Sequence, residues 1–120
     1  MLHLSPIARY YLYRSSTDMR KGFDSLSGIV SSQMQQSASS GDIFIFLNRA
    51  RTHVKLLRWE GDGFALYYKR LEQGTYELPV CTSSNTTMPI TQQQLQFILQ
   101  GVALAKIEYR KRYKKKELSY

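Results

Sequence analysis

Between Asn48 and Leu71 the chain interleaves cations with apolar and aromatic residues: Arg49, Arg51, Lys55, Arg58, Lys69 and Arg70 sit among Val54, Leu57, Trp59, Phe64, Tyr67 and Tyr68. Guanidinium and ammonium groups grip phosphate as forks or point charges, and neighbouring rings can stack on bases. Arg20 and Lys21, in the run Asp18-Met19-Arg20-Lys21-Gly22-Phe23-Asp24, either extend that surface or pair with the flanking acids along a helix. The chemistry on offer is binding of a polyanion. Solvated strand edges with aromatics turned into a core would give the same composition, so the pattern alone is not specific.

Bond-making chemistry is harder to assemble. Asp42, Glu60 and Asp62 are the acids near the basic stretch, whereas a metal-dependent nuclease needs two or three carboxylates converging on a cation. Asp62 is explained by turn formation and Asp42 by strand entry. His53 lacks an orienting acid, and Cys81 lies in a Ser/Thr-rich stretch without a local base, so neither makes a nucleophile–base pair. With Cys81 the single cysteine and His3 and His53 the histidines, no internal disulfide and no metal site are expected. The expectation is a protein with no catalytic residues and no cofactor.

The elements that must position these cations follow from periodicity. Ile7–Tyr13 is rich in strand formers and predicts a strand. Thr17 or Asp18 can cap a helix whose apolar face would be Met19, Phe23, Leu26, Val30 and Met34. Gly22 and Gly28 weaken that helix by about 1 kcal/mol each relative to Ala, or admit a close backbone neighbour. Ile43–Leu47 is an apolar run of strand length, and residues 48–52 connect it to a strand His53–Trp59. Glu60-Gly61-Asp62-Gly63 is a turn signal, after which Phe64–Arg70 returns as a strand.

A two-residue turn at Gly61-Asp62 fixes the hairpin register. Trp59 then faces Phe64, Leu57 faces Leu66 and Lys55 faces Tyr68 on one side; Arg58–Ala65, Leu56–Tyr67 and Val54–Lys69 lie on the other. Neither side is wholly polar. The first helix covers one, and a C-terminal helix, a second copy or a ligand must cover the other. Residues 71–85 read as irregular. Thr91 with Gln94 forms a capping box ahead of Leu95, Ile98, Leu99 and Val102, and Gly101 ends that helix. A further helical stretch through Leu104, Ile107 and Lys111 runs into lysines.

The fold class expected is α+β: an antiparallel sheet of about four strands, one helix packed on it, and a C-terminal helical segment with a basic tail. One domain spans 1–105, with 106–120 as a basic extension. An apolar fraction of 42% excludes a wholly disordered chain. The net charge of +8 is unevenly placed, since residues 106–120 carry seven Lys/Arg against two acids and the remainder ten against seven. The body is only mildly basic, and the tail binds phosphate or is simply solvated. No signal peptide or membrane-length apolar run is visible, so a cytoplasmic location without membrane contact is expected.

Four blocks, read in order, carry a resemblance: D-M-R-K-G-F-D-x-L (Asp18 to Leu26), G-D-I-F-I-F-x-N-R (Gly41 to Arg49), V-K-L-L-x-W-x-x-D-G-F-x-L-x-Y-K-R-L-E-x-G (Val54 to Gly74) and I-T-x-x-Q-L-x-x-I-L-x-G (Ile90 to Gly101). Together they resemble the second-reading-frame accessory proteins, labelled TnpB, of the insertion-sequence-sixty-six family of bacterial transposons. The resemblance implies a mobile-element protein acting beside a larger transposase that holds the catalytic acids. The family's basic loop corresponds to Asn48, Arg49 and Arg51, with Ala50 and His53 where basic residues are common, and Tyr67 where Trp is frequent. Two expectations follow. The first is a non-catalytic transposition factor binding DNA through the hairpin and its Arg49/Arg51 loop. The second is an adaptor that docks on the transposase or on another copy of itself without contacting DNA.

Overall fold

A computed structural model of the chain describes residues 8–80 and 84–101. In chain order these form β1 (Tyr10–Tyr13), α1 (Phe23–Ser32), β2 (Ile43–Leu47), β3 (His53–Trp59), β4 (Phe64–Arg70), β5 (Thr87–Ile90) and α2 (Gln92–Gln100). The strands make one sheet in the order β4-β3-β2-β1-β5. The antiparallel four-strand expectation is corrected in two ways. β1 and β2 pair in parallel, Tyr10 beside Ile43, because the intervening chain with α1 is long enough to cross back over the sheet. β5 adds a fifth strand antiparallel to β1, with Pro89 opposite Tyr11. Proline donates no N–H, and an outermost strand is where a sheet tolerates it.

The β3–β4 hairpin has the expected register, from Trp59 opposite Phe64 to His53 opposite Arg70. Its turn closes with the Glu60 N–H donating to the Gly63 carbonyl at 2.8 Å, and Gly61 takes the positive φ of +94° that favours a residue without Cβ.

Alternation along the strands separates two apolar layers. Phe44, Phe46 and Leu57 pack with Leu26, Val30 and Met34 from α1 and its C-terminal end, and with Phe64 and Leu66. On the opposite side Tyr10, Leu12, Ile43, Ile45, Leu47, Val54 and Leu56 pack with Leu95 and Ile98 of α2, and with Tyr76. All five residues of β2 are buried, as expected for a central strand covered on both sides. The second face is therefore covered by the C-terminal helix.

The helix ends differ in how well the sequence announces them. At α2 the capping box is complete: the Thr91 side chain accepts from the Gln94 N–H at 3.0 Å, and Gln94 Oε1 accepts from the Thr91 N–H at 2.8 Å. Gly101 closes the helix in the left-handed region at φ +81°. At α1 the expected cap is overturned. The helix begins at Phe23 behind Gly22, which offers no side-chain cap. Asp18 instead accepts from the Arg20 N–H at 2.9 Å in a tight local turn, and Thr17 is buried, with its N–H donating to the Leu47 carbonyl. Met19 thus precedes the helix, and Phe23 is 47% exposed rather than part of the buried face. Cys81, His3, the stretch beyond Gly101 and the basic tail lie outside the described residues.

Candidate nucleic-acid interface

The loop between β2 and β3 is built around one side chain. Asn48 Oδ1 accepts from the Thr52 N–H at 2.9 Å and the His53 N–H at 3.0 Å, while its amide nitrogen donates to Thr52 Oγ1 at 3.0 Å. The backbone adds Arg51 N–H to the Asn48 carbonyl at 3.0 Å, and Arg51 sits in the left-handed region at φ +58°. The Arg51 carbonyl is held in turn by the Tyr76 N–H at 2.7 Å. These bonds fix the backbone from which the Arg49 and Arg51 side chains project, both exposed. The same amide donor meets His53 Nδ1 at 3.2 Å, and the Thr52 hydroxyl meets it at 2.8 Å, which assigns the His53 ring proton to Nε2 in its neutral form.

Beside this loop lie the carboxyl ends of the parallel strands β1 and β2, the end of an α/β unit where ligands commonly bind. Tyr13, Arg14 and Ser16 from the end of β1, Leu47, Asn48, Arg49 and Arg51 from the loop, and Leu78 line a cavity of about 130 Å³. That is room for several waters, and so for an anion of phosphate size. Arg14 Nη1 donates to the Asn85 carbonyl at 2.7 Å. Arg49 also borders a wider, open groove with Ser16, Thr17, Asp18, Met19, Asn48, Ala50 and His53. It therefore forms a wall between the two depressions. Among the described residues no ion pair involves Arg49 or Arg51, whereas Arg20 pairs with Asp18 at 2.7 Å and Arg70 with Glu72 at 2.8 Å.

The eight cations expected to share one outward surface do not do so. Lys55 is the clearest correction: it is 6% exposed, and its Nζ donates to the Met19 carbonyl at 2.8 Å and the Lys21 carbonyl at 2.7 Å, with the Tyr68 ring 4.6 Å away. Its ammonium fastens the β1–α1 loop to the sheet and is not presented to solvent. Arg58 lies five residues along β3 from His53, about 17 Å at the usual strand rise, and on the α2 side of the sheet beside Leu56. It belongs to the far end. Arg20 is exposed but held by Asp18, whose carboxyl sits well below the usual carboxylate range because the Arg20 side chain and then its backbone N–H donate to it. Arg70 is likewise exposed and paired with Glu72.

Lys69 is exposed on the α2 side opposite Val54, and Lys21 is exposed where the chain enters α1. The structure therefore gathers Arg49 and Arg51 with Arg14 in one cavity and leaves Lys21 and Lys69 at the same end of the sheet. Arg14 was not singled out by the sequence. It stands alone at the end of a strand, and only the parallel pairing of β1 with β2 brings it to the loop.

Among the described residues no three His, Cys, Asp or Glu side chains are grouped to hold a metal ion, and no helix is long and apolar enough to cross a membrane. No solved structure matches the chain significantly. Two proteins of Sinorhizobium fredii (strain NBRC 101917 / NGR234) are similar in sequence. "Uncharacterized protein y4hO" is 29% identical over 102 residues, covering 85% of this chain and 87% of that protein. "Uncharacterized protein y4jC" is 32% identical over 62 residues, covering 52% and 53%. The family model described as "IS66 Orf2 like protein" matches residues 8–109, which takes in both helices, the whole sheet and the Asn48–His53 loop. This chain belongs to the IS66 Orf2-like (TnpB) family of insertion-sequence proteins, and with that membership comes an accessory role in transposition.

Proposed function

We propose that the protein serves transposition as a non-catalytic factor that holds the phosphodiester backbone of DNA at the carboxyl end of β1 and β2. Arg49 and Arg51 are the principal contacts, Arg14 completes the cavity, and Lys21 and Lys69 flank it. Strand cleavage and joining are left to the element's transposase. The observation that carries this reading is the meeting of three arginines, from two separate parts of the chain, around one phosphate-sized space. Guanidinium forks suit phosphate oxygens, and their placement on a braced loop limits the freedom lost on binding.

The contacts are to backbone and not to base edges, so affinity is largely independent of sequence. Replacing Arg49 and Arg51 by Ala in the full-length chain weakens duplex binding to a similar degree across unrelated sequences, measured by fluorescence anisotropy. Undiminished binding, or loss confined to one sequence, would count against the loop as a backbone-gripping site.

A further inference from the structure

The two outer strands of the sheet are protected very differently. β5 has four residues and carries Pro89, a common way of blunting a sheet edge. β4 has seven residues, F-A-L-Y-Y-K-R, without proline, and its pairing with β3 is continuous from end to end. Among the described residues nothing pairs with its outer side.

The turn bond from Glu60 to Gly63 sets which groups of β4 face outward. In an antiparallel ladder, hydrogen-bonded and non-bonded pairs alternate. Glu60–Gly63 and Thr52–Leu71 are bonded pairs, so Phe64, Leu66, Tyr68 and Arg70 fall at non-bonded positions and turn their N–H and C=O groups away from β3. Tyr68 is 52% exposed on that strand. A row of unpaired backbone donors and acceptors beside apolar side chains is a template for another strand.

From this we infer that β4 pairs antiparallel with β4 of a second copy, joining two sheets about a two-fold axis at Tyr67. In that register Phe64 of one copy lies opposite Arg70 of the other, and Leu66 opposite Tyr68, so every outward-facing residue of both strands is used. Charge selects a second copy as the occupant. One end of β4 is the acidic turn holding Glu60 and Asp62; the other carries Lys69 and Arg70 against a single acid, Glu72, the ion-pair partner of Arg70, and is left net positive. Two-fold pairing brings each acidic turn beside the basic end of the other copy, and a parallel arrangement would oppose like charges. The surface is self-complementary, as an isologous dimer requires. It lies on the outer side of β4 and does not involve Arg14, Arg49 or Arg51.

Sedimentation velocity on the full-length protein tests the interface. Wild type shows a reversible monomer–dimer equilibrium. Arg70→Glu or Asp62→Lys alone, both at exposed positions, raises the dimer dissociation constant about tenfold. The double variant, which exchanges the two charges, recovers most of that loss. A full-length protein that stays monomeric at high micromolar concentration overturns the inference, whether a different protein or the chain's own residues 102–120 cover β4. So does a dimer indifferent to both single changes, a double variant no tighter than either, or open-ended assembly in place of a closed pair.

Discussion

Lys55 shows how one residue's chemistry depends on where it points. In the sequence it is one cation among six. In the fold it lies on the side of β3 that carries Leu57, and its ammonium bonds to two backbone carbonyls ahead of α1. A buried acceptor stripped of its donor costs about 1–3 kcal/mol. Lys55→Met therefore lowers unfolding stability by roughly 2–4 kcal/mol in denaturant titrations, while the salt dependence of DNA binding by the folded fraction stays as in wild type. A flatter salt dependence with unchanged stability would return Lys55 to the phosphate-contacting set.

Asp18 has the opposite character, exposed and held ionised by Arg20. Its folded pKa lies below its unfolded value, so the pair's contribution is fully present above the usual carboxylate pKa near 4. That contribution is lost only as pH falls through the depressed folded value. A carboxyl-carbon NMR titration should find Asp18 still ionised where ordinary aspartates are half protonated. A midpoint in the ordinary range would show Arg20 to be unengaged. The inward direction of Lys55 was legible once register was fixed, since it shares a side with Leu57. The meeting of Arg14 with Arg51 was not, because no local pattern links residues so far apart in sequence.

At the level of elements, legibility tracked local chemistry. The Gly61-Asp62 turn fixed the β3–β4 register to the residue, and the Thr91/Gln94 box marked the start of α2, because each signal is complete within a few neighbours. The parallel pairing of β1 with β2 depends on a crossover whose outcome is tertiary, although a strand–helix–strand order already favours it. β5 escaped notice because four residues with a central proline carry almost no strand signal. The entrance to α1 misled for a different reason. Asp18 has the right residue type for a cap but satisfies its own turn, leaving Gly22 at the helix start without a side-chain bond.

Gly28, also within α1, can be resolved by its surroundings. A Cβ added there meets nothing within 4 Å, so close packing does not require the glycine. Gly28→Ala should raise stability by about 0.5–1 kcal/mol through the lower entropy of the unfolded chain. A loss of stability, read from the urea midpoint, would show that something outside the described residues occupies that space.

For the molecule as a whole, the uneven distribution of charge is decisive. Most of the net +8 resides in residues 106–120, so a test of the body must be separated from any phosphate binding by that tail. The arginine cavity instead belongs to the folded sheet, at the end opposite Arg58 and on a braced loop. The most direct test is the salt dependence of duplex binding by full-length protein in which Lys114, Lys115 and Lys116 are replaced by Gln, with and without Arg14→Ala, Arg49→Ala and Arg51→Ala together. Each phosphate contact contributes about 0.9 to the slope of log affinity against log salt. Removing the three arginines should therefore flatten the slope by about 2–3. An unchanged slope would contradict a phosphate site at the 48–53 loop.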